Sequence, residues 1–221
     1  MVRKWWAEWP EASLRPFGLN SRDMSGNSLS YQEALTKTFS DIEELLARKS
    51  TPVVLIDGRA GAGKSRFAAE VLEAYFQLES RLPKLVHMDD LYTGWNGLRA
   101  GSLYLNQKIL EPIRSGKDAT WQVWNWSRGE RGASGEPSNG WRSFEGGNLL
   151  IVEGCGAISA HSATMADLCI WIDCDLATRR KRFSDRDKGE FDDFWHSWAI
   201  QEDEFYEAEK SQELCGLMVQ N

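Results

Sequence analysis

The sequence lacks any apolar run near the ~20 residues that a membrane-spanning helix needs. Its first residues, MVRKWWAEWPEAS, also lack the uninterrupted apolar core of a signal peptide. We therefore expect a cytoplasmic protein with no membrane partner.

Cysteine and histidine are scarce and scattered. The four cysteines contain no CxxC pair, and the three histidines lie far apart along the chain. This distribution favours neither a zinc site nor a disulfide framework, and it indicates reduced, mostly buried thiols. The residues are Cys155, Cys169, Cys174, Cys215, His87, His161 and His196.

A basic excess is also missing, since the formal net charge is −7. Binding to nucleic acid requires cations that neutralise phosphates, so we expect no nucleic-acid partner. The composition, 42% hydrophobic and 27% charged over 221 residues, is that of one globular domain. We predict a Trp-rich extension over residues 1–28 and one domain over 29–221, and the oligomeric state stays open.

What the sequence does contain is a phosphate-binding motif. VVLID, residues 53–57, has the apolar character of a strand buried on both faces, and GRAGAGKS follows it directly. Its glycines let backbone N–H groups point inward at the start of a helix, Lys64 can reach the β- and γ-phosphates, and Ser65 can ligate Mg²⁺. We therefore expect ATP and Mg²⁺ at Gly58, Ala60, Gly61, Ala62, Gly63, Lys64, Ser65 and Arg66.

Strands and helices alternate along the chain, which predicts a parallel sheet covered on both faces. In such sheets ligands bind beyond the carboxyl ends of the strands. The apolar patterns predict strands at 53–57, 84–88, 120–126, 148–154, 167–175 and 215–220, helices at 30–48, 64–78, 102–116, 177–188 and 191–209, and a loop at 127–147.

Carboxylates stand at two of the predicted strand ends. Phosphoryl transfer to a hydroxyl needs a base within hydrogen-bond reach, and we choose Asp89 of VHMDDLY for that role. A turn cap is the alternative for Asp89, and Asp90 is the better cap of the two. Glu153 of LLIVEG follows an apolar strand and is the predicted Mg²⁺-associated carboxylate, unless it is only a solvated strand end.

Three arginines of ATRRKRFSDRDK are spaced to share one helical face. Arg179, Arg182 and Arg186 stand at i, i+3 and i+7, where they can clamp the transferring phosphoryl group. A solvated, salt-bridged face is the alternative.

Tryptophans are clustered in the middle of the chain. A pocket for a flat ring competes here with ordinary core packing. The residues are Trp95, Trp121, Trp124, Trp126 and Trp141.

Taken together, these motifs resemble the uridine kinase family of nucleoside kinases and are similar to the nicotinamide riboside kinases. The resemblance covers residues 52–220. It implies a three-layer α/β phosphate-loop NTPase fold with a five-stranded parallel sheet and helices on both faces, an arginine-bearing lid at 177–190 and an inserted acceptor hairpin at 120–147. By position, Asp89 matches the family's base, Tyr92 the tyrosine after it, Glu153 its Mg²⁺-associated glutamate, and the three arginines its lid.

The acceptor side departs from the family pattern. Trp124-Asn125-Trp126 stands where uridine kinases have tyrosine, aspartate and phenylalanine, Gly129 where they have histidine, and Asn96 where they have aspartate. Arg131 matches in kind. The predicted acceptor-binding residues are Tyr92, Trp95, Asn96, Trp124, Asn125, Trp126 and Arg131.

We therefore expect an ATP-dependent kinase of a small ring-bearing alcohol, most simply a nucleoside. A nucleoside monophosphate kinase is one alternative, because Arg99, Arg128 and Arg131 could meet a phosphate. A non-catalytic ATP-binding protein with a protein partner is another, although such a protein has no use for a base.

Overall fold

The structure is a computed structural model that describes residues 28–78, 83–132, 134–135 and 137–221. The predicted extension lies outside these residues except for Ser28. The strands are β1 (Ser28–Ser30), β2 (Val53–Asp57), β3 (Lys84–His87), β4 (Ala119–Gln122), β5 (Trp124–Asn125), β6 (Glu130–Arg131), β7 (Trp141–Phe144), β8 (Leu150–Glu153), β9 (Leu168–Asp173) and β10 (Leu217–Gln220). The helices are α1 (Tyr31–Leu46), α2 (Lys64–Leu78), α3 (Leu98–Leu105), α4 (Glu111–Arg114), α5 (Ala160–Thr164), α6 (Leu176–Arg186) and α7 (Trp195–Glu209).

The central sheet is parallel and has six strands in the order β1-β10-β9-β2-β8-β3, where five were expected. The additional strand is β1, which pairs Leu29 with Val219 of β10. Its sequence, SLS, carries no apolar pattern, so only pairing with a distant strand reveals it. Ser30 then caps α1 in a capping box with Glu33.

Helices cover both faces of the sheet, which confirms the three-layer architecture. All five residues of β2 and all four of β8 are buried, as expected for central parallel strands. One face packs against α1 and α2 through residues such as Ile42, Phe67 and Val71. The other packs against α3, the following helical turns and α7 through residues such as Leu105 and Phe205. Among the described residues, no helix has the length and apolarity needed to cross a membrane.

The region predicted as an acceptor hairpin is two small antiparallel ladders. The predicted strand 120–126 is divided into β4 and β5, and the predicted loop 127–147 contains β6 and β7. β4 pairs with β7, and β5 with β6. Trp121 is buried in the core, so this tryptophan contributes to packing rather than to an open pocket.

The helix predicted at 102–116 begins earlier, at Leu98, and changes geometry along its length. A π-helical stretch, Asn106–Leu110, separates α3 from α4.

Candidate active site

The phosphate loop connects β2, at the centre of the sheet, to the first turn of α2. Gly58 and Gly61 have φ of +146° and +78°. A Cβ at Gly58 would lie 2.2 Å from the Ile172 carbonyl oxygen, and one at Gly61 would lie 2.3 Å from that of Arg179. Both conformation and space therefore require glycine. The first N–H groups of α2 lack acceptors within their own helix, so the loop and helix start form a site for anions.

Lys64 is buried beneath this loop. Its Nζ donates to the Arg59 carbonyl at 3.0 Å and lies 3.4 Å from Cys155 Sγ. Burial opposes its charge, but neighbouring acidic groups outweigh that effect and raise its pKa. Because burial raises the pKa of Cys155 and keeps this thiol neutral, carboxylates such as Glu153 account for the rise. Lys64 is a fixed positive charge.

Glu153, Ser65 and His87 form a hydrogen-bonded unit. Ser65 Oγ lies 3.1 Å from both carboxylate oxygens of Glu153, and His87 Nδ1 lies 2.5 Å from Oε1. Burial favours the neutral form of Glu153, but the histidine contact outweighs it and lowers the carboxyl pKa. Burial likewise opposes the charge on His87, yet Glu153 raises the His87 pKa to about 9. The pair is therefore imidazolium and carboxylate at neutral pH, and its oxygens suit Mg²⁺.

Asp89 lies in the short turn Met88–Asp90 that follows β3. Its side chain is exposed to solvent. Desolvation by neighbouring protein atoms raises its pKa, and the charge of Arg186 opposes the rise. Trp126 Nε1 donates to the Asp89 carbonyl at 3.0 Å, so the predicted acceptor hairpin contacts the turn that carries the carboxylate.

The arginines of α6 lie along one face of the helix as their spacing predicts, but they contact different partners. Arg179 donates to the Ala60 carbonyl at 3.3 Å, and Arg182 contacts the carbonyls of Gly61 and Ala62 at 3.5 and 3.4 Å. Two of the three predicted clamp arginines therefore bind the phosphate loop itself. Arg186 forms an ion pair with Asp187 at 2.8 Å, and its charge also interacts with that of Asp89.

Residues from distant parts of the chain also form hydrogen bonds with the phosphate loop. The Ala60 N–H donates to Glu202 of α7 at 2.6 Å, and Asn221 Nδ2 donates to the Ala62 carbonyl at the same distance. Arg66 pairs with Glu70 at 2.8 Å, on the exposed side of α2.

The sequence patterns did not identify Asp57 as a site residue. It lies at the end of β2 and is wholly buried. It accepts from the N–H groups of Gly58, Gly156 and Ile158 and from the Tyr206 hydroxyl. Burial raises its pKa to about 6, against the effect of these donors. Sequence reasoning did not identify Glu202, His87 or Asp57 as site residues. Their contacts join residues far apart in the sequence, so no local motif predicts them.

Aromatic rings gather beside the Asp89 turn. Trp95 is stacked on Phe194 with ring centroids 4.5 Å apart and lies 5.3 Å from Trp126. Trp126 is 41% exposed. Tyr92 lies beneath the surface, where its ring packs on Trp198 and its hydroxyl donates to the Cys155 carbonyl at 2.7 Å. Trp126 thus offers an accessible ring, whereas Tyr92 is part of the wall.

The polar residues predicted to bind the acceptor differ in their exposure and contacts. Arg131 lies over the Tyr104 ring at 3.6 Å and donates to the carbonyls of Leu91 and Gln122 at 2.6 and 3.2 Å. Trp124 and Asn125 are half-buried in β5, and Asn96 is exposed. Arg131 therefore joins the hairpin to the Asp89 turn through its backbone contacts.

Comparisons with known proteins give a fold but no family. No family model matches the chain, and no curated protein matches it. A solved structure described as a possible uridine kinase from Bacillus stearothermophilus aligns with a TM-score of 0.59 and 14% identity, covering 85% of this chain and 98% of that chain. A putative fructose transport system kinase from Silicibacter sp. TM1040 aligns with a TM-score of 0.50 and 15% identity, covering 84% and 98%.

The described chain therefore has the fold of the phosphate-loop kinases. The resemblance seen in the sequence motifs is confirmed at the level of fold.

Proposed function

We propose that the protein is an ATP-dependent kinase that phosphorylates a hydroxyl group of a small, uncharged, ring-bearing acceptor such as a nucleoside. The observation that carries the proposal is the meeting of four groups at the carboxyl ends of neighbouring strands. Lys64 and Ser65 follow β2, Glu153 ends β8, and Asp89 follows β3.

The donor side of the site suits ATP. The loop glycines and the start of α2 would hold the phosphates, and Lys64 would supply its charge to the β- and γ-phosphates. Within the described ranges, no group of three or more His, Cys, Asp or Glu side chains could hold a metal ion alone. Mg²⁺ would therefore be held by Ser65, with Glu153 beside it, and by the phosphates themselves. When bound, it neutralises charge on the transferring group.

The acceptor side suits a general base. Asp89 is exposed, and its raised pKa makes its carboxylate a stronger base than an ordinary aspartate. It would accept the proton of the attacking hydroxyl. Arg186, whose charge interacts with that of Asp89, would stabilise charge on the transferring phosphoryl group.

The arginines near the acceptor argue against a phosphate on that molecule. Arg99 pairs with Glu209 at 3.1 Å, Arg128 contacts Glu130 and the backbone at Ser134, and Arg131 donates to backbone carbonyls. A monophosphate would have to draw these side chains from their present partners. An uncharged ring stacked on Trp126 requires no such change, and stacking of this kind contributes about 1–3 kcal/mol per ring.

An ADP-release assay tests the proposal with ATP, Mg²⁺ and three acceptor groups: pyrimidine and purine nucleosides, nicotinamide riboside, and nucleoside monophosphates. We expect acceleration by an uncharged compound. If only monophosphates accelerate ADP release, the enzyme is a nucleotide kinase. If none does and a protein partner binds in an ATP-dependent way, the enzyme proposal fails.

Two neighbouring carboxylates provide a matched pair for the same assay. Asp89→Asn should lower kcat by about 10²–10⁴ with ATP affinity almost unchanged, because it removes the base alone. Asp90→Asn should have much less effect. The reverse ranking would show that Asp89 is not the base.

A further inference from the structure

The inner face of α7 carries a buried carboxylate that contacts the phosphate loop. Glu202 is 1% exposed, and its Oε1 accepts a hydrogen bond of 2.6 Å from the Ala60 N–H. Its charge is balanced by Arg59, whose Nη1 lies 3.7 Å from Oε2, and the Cys155 thiol donates to it at 3.3 Å. A buried carboxylate is costly unless its oxygens are bonded in this way.

Residue Ala60 is bound through both of its backbone groups. Glu202 accepts from its N–H, and Arg179 of the lid helix donates to its carbonyl. Arg182 contacts the next two carbonyls, those of Gly61 and Ala62. Arginine N–H groups therefore contact three successive carbonyl oxygens of the loop.

We infer that Glu202 is a positioning residue that holds the phosphate loop in its nucleotide-receiving shape; this inference rests on the proposed function. Glycines give the loop its shape but leave it many alternatives, since glycine loses more conformational freedom on ordering than any other residue. A loop already fixed by Glu202 loses less of that freedom when ATP binds, so affinity is higher. Glu202 touches no reacting atom and acts through the Ala60 N–H.

Isothermal calorimetry with ATP·Mg²⁺ compares four proteins. Glu202→Met fills similar volume without a strong acceptor, Glu202→Gln keeps an acceptor oxygen without the charge, and Asp203→Ala is the matched control. Asp203 binds the same Arg59, at 2.6 Å, but from the exposed side and with no bond to Ala60. We expect Glu202→Met to weaken binding by roughly 10- to 100-fold, the range for a lost hydrogen bond to a charged group. Glu202→Gln should recover most of that loss, and Asp203→Ala should bind like the parent.

Amide hydrogen exchange gives a second measurement that needs no ligand. The Ala60 amide should exchange faster in Glu202→Met than in Glu202→Gln, while amides of β2 stay protected in both. Two outcomes overturn the inference and leave the proposed function standing. One is equal ATP affinity in the parent and Glu202→Met, and the other is an ATP affinity of Glu202→Gln as low as that of Glu202→Met. A parent protein that does not bind ATP·Mg²⁺ overturns both.

Discussion

Replacing His87 by glutamine tests the charge of the His87–Glu153 pair through the pH dependence of stability. Glutamine can still donate to Glu153 but cannot carry a proton charge. The His87 pKa is raised from 6.5 to about 9 by Glu153, against the effect of burial. The proton is therefore bound more tightly in the folded protein than in the unfolded chain. Its stabilising effect is fully present below about pH 6.5 and is lost as the pH rises through about 9.

The magnitude follows from the shift and from the solvent exposure of the ring. At 1.36 kcal/mol per pKa unit, the full shift corresponds to about 3 kcal/mol. The His87 side chain is 42% exposed, so solvent screening reduces this value, and we expect about 1–2 kcal/mol. The folded parent should lose this free energy between about pH 6 and about pH 9.5, and His87→Gln should not.

Urea denaturation at those two pH values measures the difference. Asp57, whose pKa is raised to about 6, titrates near the lower limit in both proteins and cancels in the comparison. His161→Gln is the control, because it removes an exposed histidine that also contacts a glutamate, Glu111, at 3.0 Å. If the parent and His87→Gln lose equal free energy across the interval, the charged pair does not exist as described.

Substitutions at three further residues test the proposed donor site, lid and acceptor ring. Lys64→Ala should abolish phosphoryl transfer and weaken ATP binding in calorimetry, since it removes the charge meant for the β- and γ-phosphates; unchanged affinity would mean that the donor site is misassigned. Arg186→Ala should lower kcat by more than it raises the KM for ATP, because the charge of Arg186 interacts with that of Asp89, whereas Arg179 and Arg182 hold the phosphate loop. Steady-state kinetics measures both constants. Trp126→Ala should raise the KM of the accepted alcohol and leave that of ATP alone. Trp126→Phe, which keeps a ring, should recover much of the loss; an equal loss in both would implicate the bond to the Asp89 carbonyl.

Local sequence predicts the parts of this protein whose cause is local. GRAGAGKS indicates its own conformation, because glycine positions and the Lys-Ser pair are requirements of the loop itself. The central strands are evident for the same reason, since burial on both faces demands a continuous apolar run such as VVLID. The end of each strand then identified Asp89 and Glu153 as groups at one edge of the sheet.

Long-range partners explain what the sequence did not reveal. The β1 sequence is polar and only three residues long, and it becomes a strand through pairing with β10. The arginine spacing predicts one helical face, but it cannot tell that Arg179 and Arg182 donate to loop carbonyls. Glu202 is the one buried carboxylate of its helix, which also carries the exposed acidic residues Asp203, Glu204 and Glu207, and its partner is 142 positions away.

That separation also bears on how the protein is made. The phosphate loop emerges from the ribosome before the groups that fix it, because α6 and α7 are synthesised more than a hundred positions later. Contacts so distant in sequence form slowly, because a long segment must be ordered before they are made. A nascent chain that already displays GRAGAGKS should therefore not retain ATP until α7 has left the exit tunnel. Ribosome-bound chains of increasing length, scored for retention of labelled nucleotide, would locate the step at which the newborn protein acquires its ligand.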